Sequence, residues 1–241
     1  MIPKIMESEI VSGQQSGWSL LKRLGEGDAG EVFLVESLVG GQTAILKRPT
    51  RSAFSGDIFR QASQIRTESR IIKALSAAFL QDPQKQMGVP ALLDQSKPGA
   101  DFQERYFIVL EKAAGLDLGF LGRVTQLGLS SQDELNGFNP EERAFLNSIA
   151  KNGRIPNRIL ITILYRLVCL MDEIHSIRVT EDGTDAWGMV WNDVKADHLF
   201  WDLNRGFLTV IDWGNARFLE ADRTTSDRQF SWTDDYRQLF E

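Results

Sequence analysis

Two short apolar runs that each end in an aspartate constrain this chain more than any other feature. The first reads Gly188-Met189-Val190-Trp191-Asn192-Asp193-Val194-Lys195-Ala196-Asp197-His198, and the second Leu208-Thr209-Val210-Ile211-Asp212-Trp213-Gly214. Between them, Phe200-Trp201-Asp202-Leu203-Asn204-Arg205-Gly206-Phe207 has the residues of a hairpin with its turn near 204–206. Such a hairpin brings Asp193 and Asp212 to the same side of one cleft, with Lys195 beside them. Two carboxylates and a lysine so placed suit a metal-bound phosphate and a hydroxyl that must lose a proton. Two capping aspartates and a surface lysine are the plainer alternative.

Bulk properties narrow the field. With 241 residues and 42% hydrophobic content, the chain can build one large core or two small lobes. A net charge of −6 argues against a protein dominated by nucleic-acid contacts. Cys169 is the single cysteine, so no intrachain disulfide forms and a reducing, cytoplasmic setting is expected. No apolar run approaches the roughly 18 residues that span a bilayer, and the first nine residues lack the basic start and apolar centre of a signal peptide. Neither an internal repeat nor a low-complexity segment stands out.

Residues 1–16 read as a polar extension. Strands follow at 18–24, 31–36 and 42–47, the last two joined by a turn at Gly40-Gly41. The glycine run Gly25-Glu26-Gly27-Asp28-Ala29-Gly30 precedes Val32-Phe33-Leu34-Val35. It therefore opens a strand rather than the helix a dinucleotide fold requires. Glycines at a hairpin tip let backbone amides approach phosphates; a plain glycine-rich turn is the alternative. A helix is expected at 56–80, where Ile65, Glu68, Ile72, Leu75 and Phe79 share one stripe. A carboxylate in an apolar stripe is costly unless paired, and Lys47 of the adjacent strand is the natural partner. Strands at 88–96 and 105–111 would complete a five-stranded sheet with one helix. An extended connector at 112–115 marks a boundary, and 116–157 is mostly helical, with loops at Gly137, Asn139-Pro140 and Ile155-Pro156. A strongly apolar helix at 158–176 is expected to be buried, with His175 at its end in a structural role, and 177–188 reads as a polar loop.

In this order the pieces resemble the protein kinase-like superfamily, in particular a bacterial Ser/Thr protein kinase-like domain. Gly25-x-Gly27-x-x-Gly30-x-Val32 resembles the glycine-rich loop and Ala44-Ile45-Leu46-Lys47 the lysine strand. Glu68 matches the helix glutamate, Asp193-x-Lys195-x-x-His198 resembles the catalytic loop, and Asp212-Trp213-Gly214 resembles the Asp-Phe-Gly metal motif. The resemblance implies an α+β, two-lobed fold: a small ATP-binding lobe at 17–111, a hinge at 112–115 and a partial helical large lobe at 116–241. It implies that Gly25, Gly27 and Gly30 cover the phosphates of ATP and that Lys47, held by Glu68, contacts the α- and β-phosphates. Asp193 would deprotonate the acceptor hydroxyl, Lys195 would offset γ-phosphate charge, and Asp212 with His198 would hold magnesium or manganese. Adenine would lie against Val32, Ile45 and Phe200, its edge meeting backbone groups of Glu111 and Ala113. Trp191, Trp213 and Ile72 would form an apolar spine.

The departures from the family pattern also carry expectations. His198 stands where the family has asparagine, and imidazole suits manganese or zinc better than magnesium. Trp191-Asn192 replaces His-Arg, so phosphorylation of Thr224, Thr225 or Ser226 is not expected to switch the protein on. Ile45 replaces a small alanine and thickens the adenine roof. No Ala-Pro-Glu follows Gly214 before the chain stops at Glu241, so a fragment or a minimal fold is expected. An ATP-dependent phosphotransferase acting on a protein hydroxyl leads. A nucleotide-binding pseudokinase and a small-molecule kinase are the alternatives. No nucleic-acid partner and no membrane segment are expected.

Overall fold

Alternating apolar residues from Trp18 onward build the sheet around which the first part of the chain folds. The computed structural model describes residues 9–50, 55–79, 86–97, 99, 106–181, 184–220 and 232–240. The protein is α+β and divides into two units, Met1–Lys73 with Pro90–Lys112, and Ala74–Val89 with Ala113–Glu241. No helix among the described residues is long and apolar enough to cross a membrane.

The first unit is formed by β1 (Ile10–Ser12), β2 (Gly17–Gly27), β3 (Gly30–Ser37), β4 (Thr43–Arg48) and most of helix α1 (Ser55–Phe79). After β5 (Met87–Gly88), which belongs to the other unit, come β6 (Leu92–Gln95) and β7 (Ile108–Glu111). The six strands form one antiparallel sheet in the order β1-β2-β3-β4-β7-β6. Trp18, Phe33, Val35, Ala44, Leu46, Phe107 and Val109 make its core. Buried Asp94 locks the β1–β2 turn to β6: it accepts from the amides of Gln14 (2.9 Å), Gln15 (3.1 Å) and Ser16 (3.0 Å) and from the Trp18 indole (2.8 Å).

Two expectations change here. The segment read as a loose extension contains β1, which pairs Ile10 with Ser19 and Ser12 with Gly17, so the sheet has six strands rather than five. The single strand expected at 88–96 is two. Pro90 lacks an N–H and interrupts the ladder. Met87–Gly88 then pairs in parallel with a strand of the second unit, and Leu92–Gln95 pairs with β7. Arg105, in the strand expected at 105–111, lies outside the described residues.

After β5, the second unit continues with β8 (Leu116–Asp117) and α2 (Leu118–Leu127), whose N-cap Asp117 accepts from the Phe120 amide at 3.0 Å. Helix α3 (Pro140–Asn152) starts at a proline behind a capping box of Asn139 and Glu142, and ends on Gly153 at φ +63°. With α2 it encloses Leu116, Leu121, Val124, Leu135, Leu146 and Ile149. Helix α4 (Asn157–Ser176) follows, then β9 (Arg178–Glu181), β10 (Thr184–Val190), β11 (Leu199–Asp202), β12 (Phe207–Val210), β13 (Arg217–Glu220) and α5 (Trp232–Phe240). They form a three-stranded sheet β13-β10-β9 and a four-stranded sheet β5-β12-β11-β8. The polar loop expected at 177–188 is instead the β9–β10 hairpin, whose second strand also pairs with β13, a segment distant in sequence. Helix α4 differs too. Ile163, Leu167, Leu170, Met171 and Ile174 are buried, but Leu160, Ile161, Leu164, Tyr165 and Val168 face solvent. Apolar composition all round did not mean burial all round.

Candidate functional site

In the first unit, strand register places the candidate residues on one face. Val32 lies opposite Lys47, Leu34 opposite Ile45, and across the next ladder Ile45 faces Leu110 and Lys47 faces Ile108. Directly opposed residues share a face, so Val32, Ile45 and Lys47 stand together while Phe33, Val35 and Leu46 fill the core behind them. Lys47 Nζ donates to Glu68 Oε1 of α1 at 2.7 Å, and Glu68 is fully buried. This is the pair expected from a carboxylate in an apolar stripe; Ile65, Ile72 and Leu75 of that stripe are buried with it. The Phe79 side chain lies outside the described residues.

The glycines at the hairpin tip differ from one another. Gly30 has φ +119°, and a Cβ there would sit 2.2 Å from the Arg48 carbonyl oxygen, so the fold itself demands glycine. Gly25 and Gly27 end β2, and a Cβ at either would meet nothing within 4 Å. Their glycine identity therefore has no explanation inside the fold. Glu111 closes β7, exposed, and its amide donates to the Ala91 carbonyl at 2.8 Å. Ala113 begins the longer stretch of the second unit.

In the second unit, the β11–β12 hairpin forms as expected, pairing Leu199 with Val210 and Asp202 with Phe207. Asp193 and Asp212 precede and follow it and meet around His198. One ligand atom from each of Asp193, His198 and Asp212 lies within 4.8 Å of the other two. His198 Nδ1 lies 3.0 Å from the Asp193 backbone carbonyl, and its Nε2 3.5 Å from Asp212 Oδ2. A carbonyl only accepts, so Nδ1 carries a proton and donates to it, which turns Nε2 towards Asp212. Asp193 Oδ1 pairs with Lys195 Nζ at 2.5 Å, and Oδ2 accepts from Asn215 Nδ2 at 3.2 Å. Asn192 and Asp212, both at φ +61°, are the non-glycine residues in the left-handed region among those described. Such strain is held where the surroundings over-determine it. Part of that determination comes from Trp191, whose indole donates to the Asp212 carbonyl at 3.0 Å and whose ring centroid lies 5.3 Å from that of Trp213. Phe200, half-buried in β11, pairs opposite Asp117 and Thr209.

One important residue escaped the sequence reading. Asp235 of α5 is fully buried and accepts from the amides of Trp191 (2.9 Å) and Asn192 (2.6 Å). His175 Nε2 lies 3.0 Å from its Oδ2; the carboxylate only accepts, so His175 donates. This is the structural role expected of His175. Gln238, one turn on, accepts from the Val194 amide at 2.9 Å. Helix α5 thus grips the backbone on both sides of Asp193. The signal was present: Asp235 falls in a stripe with Trp232 and Leu239, as Glu68 does in its own helix. Nearby, burial pushes the Asp117 carboxyl above its ordinary pKa; bonds from the Phe120 and Gly119 amides oppose this in part. Thr224, Thr225 and Ser226 lie outside the described residues.

No protein-family model matches the chain, and no curated protein matches it either. The functional reading therefore stands on residue chemistry and geometry.

Proposed function

We propose that this protein is an ATP-dependent phosphotransferase of protein kinase-like, two-lobed architecture that transfers the γ-phosphate to a hydroxyl acceptor. The observation that carries the reading is the pair of polar constellations on otherwise apolar frames. Lys47 is held by buried Glu68 in the first unit; Asp193, His198 and Asp212 converge in the second. In this reading Lys47 orients the α- and β-phosphates, and Gly25 and Gly27 leave room for phosphate oxygens against the backbone. Asp193 takes the acceptor's proton as its oxygen attacks, and Lys195, exposed and paired with Asp193, balances the transferring phosphate.

Within that cluster the His198 imidazole and the Asp212 carboxylate fit as the residues that would hold a divalent cation. Such a cation, when bound, would neutralise phosphate charge. Manganese fits this set better than magnesium, because the imidazole takes the place of a harder oxygen ligand.

Incubation with γ-labelled ATP and generic protein and small-molecule hydroxyl acceptors, in magnesium and in manganese, tests the proposal. ATP with manganese is expected to raise the melting temperature, and Asp193→Asn to abolish transfer while keeping that rise. Equal transfer by wild type and Asp193→Asn, or no melting shift with ATP under either metal, overturns it. His198 favours one second reading, a nucleotide-responsive module without turnover, whose signature is a melting shift with no transfer under either metal.

A further inference from the structure

Helix α4 carries apolar residues on two opposite sides. The inner side builds the core. On the outer side Ile161, Leu164, Tyr165 and Val168 recur at helical spacing, with Ile161 67% and Tyr165 68% exposed. Together they leave roughly 450 Å² of apolar surface in contact with water, within the range of the largest patch on a typical monomer. Scattered exposed side chains need no explanation, but a contiguous row on one helix face does.

The ends of that row carry opposite charges. Exposed Arg158 lies one turn before Ile161, and exposed Asp172 one turn after Val168. Beside the row, Met87, Tyr165, Val168, Cys169 and Tyr236 line an open groove of about 490 Å³.

We propose that the outer face of α4 is a homodimer interface, two copies of α4 packing antiparallel about a two-fold axis at Tyr165. The charge pattern selects a second copy of this chain as the occupant. Arg158 and Asp172 are equidistant in sequence from Tyr165, so antiparallel pairing sets Arg158 of each copy against Asp172 of the other, twice. Ile161 and Cys169 are equidistant too, so Ile161 of each copy enters the groove beside Cys169 of the other. Tyr165 meets its own equivalent on the axis. The two rows bury about 900 Å² between them, and the groove walls bring the total towards the ~1,200 Å² of a specific interface. A modest interface of this size implies a reversible dimer rather than an obligate one.

Sedimentation velocity on the full chain, from about 1 to about 200 µM, tests this. The wild type is expected to show a concentration-dependent monomer–dimer equilibrium. Tyr165→Asp should be monomeric throughout with an unchanged unfolding midpoint, because the side chain is exposed. Arg158→Asp and Asp172→Arg should each weaken dimerisation about tenfold, and the double variant should restore it. Should Tyr165→Asp fold poorly, Tyr165→Cys with Cys169→Ser decides: mild oxidation should trap a disulfide-linked dimer. A wild type that stays monomeric at every concentration overturns the proposal. So does a dimer indifferent to the charge exchanges, or a Tyr165→Cys variant that yields no cross-link.

Discussion

Asp235→Asn is the sharpest probe of how the Asp193 loop is held. The substitution keeps the shape of the side chain and removes one acceptor oxygen and the charge. In the native protein the two oxygens serve three donors: the Trp191 amide and His175 Nε2 on Oδ2, and the Asn192 amide on Oδ1. Whichever way the new amide turns, its NH2 faces at least one N–H that has lost its acceptor. If it faces Asn192, one buried amide is orphaned; if it faces the other side, the Trp191 amide is orphaned and His175 must change tautomer. An orphaned buried donor costs about 1–3 kcal/mol, and the surviving bonds lose the strength that charge lends them. Against this, a neutral amide is cheaper to bury than a carboxylate. The expected net loss is about 2–3 kcal/mol, a sizeable part of the ~5–15 kcal/mol that holds a domain together. Urea unfolding followed by tryptophan fluorescence measures it, since buried Trp191 and Trp213 adjoin the loop. The midpoint should fall with the slope unchanged. The same variant should lose metal- and nucleotide-induced melting shifts beyond what lower stability explains, because in either orientation the Asp193 loop loses one backbone anchor, at Asn192 or at Trp191. A stability change under about 0.5 kcal/mol would show that α5 does not hold the loop, and the reasoning would fall.

Four further outcomes are expected. Burial opposes the charge on Asp94, but bonds from the Trp18 indole and the Gln15, Gln95 and Ser16 amides outweigh it and hold its pKa below the ordinary carboxylate value. A depressed folded pKa means stability present at neutral pH and lost as pH falls through that lowered value. Asp94→Asn should therefore cost about 2–4 kcal/mol at pH 7 and flatten the acid limb of a urea-midpoint-versus-pH curve; an unflattened limb counts against it. Gly30→Ala should destabilise by more than about 2 kcal/mol through its clash with the Arg48 carbonyl. Gly27→Ala should unfold within about 1 kcal/mol of wild type yet weaken ATP binding; undiminished affinity would remove the phosphate role of that glycine. Manganese should raise the melting temperature more than magnesium, and His198→Asn should narrow or reverse the gap, read by thermal shift alone; an unchanged preference removes His198 from the metal site.

The parts of this protein written in local chemistry could be read from the chain. The strands from Trp18 to Arg48 alternate, Gly40-Gly41 and Gly206 mark turns, and Asn139-Pro140 announces a helix start. Glu68 in an apolar stripe required a cation, and Lys47 on the neighbouring strand was the one in reach. The β11–β12 hairpin was legible for the same reason: its strands are joined by a short turn, so Asp193 and Asp212 could be placed near each other without knowing the rest of the fold.

What escaped depends on partners far away in sequence. Ile10–Ser12 is too short to declare itself a strand until Gly17–Ser19 pairs with it. Pro90 looks like a blemish in one strand, yet it parts Met87–Gly88 from Leu92–Gln95 and assigns them to different sheets. The polar run after α4 gives no sign that β13 will make it a sheet. Asp235 looks like one more acid near the end of the chain until the amides of Trp191 and Asn192 close on it. Composition set how much apolar surface α4 has to hide; only packing decided that half of it would be left outside. Side-chain periodicity is a property of a segment alone, and the sequence carries it in full. Burial and hydrogen-bond partnership are properties of two segments at once, and they come into being only when the chain brings those segments together.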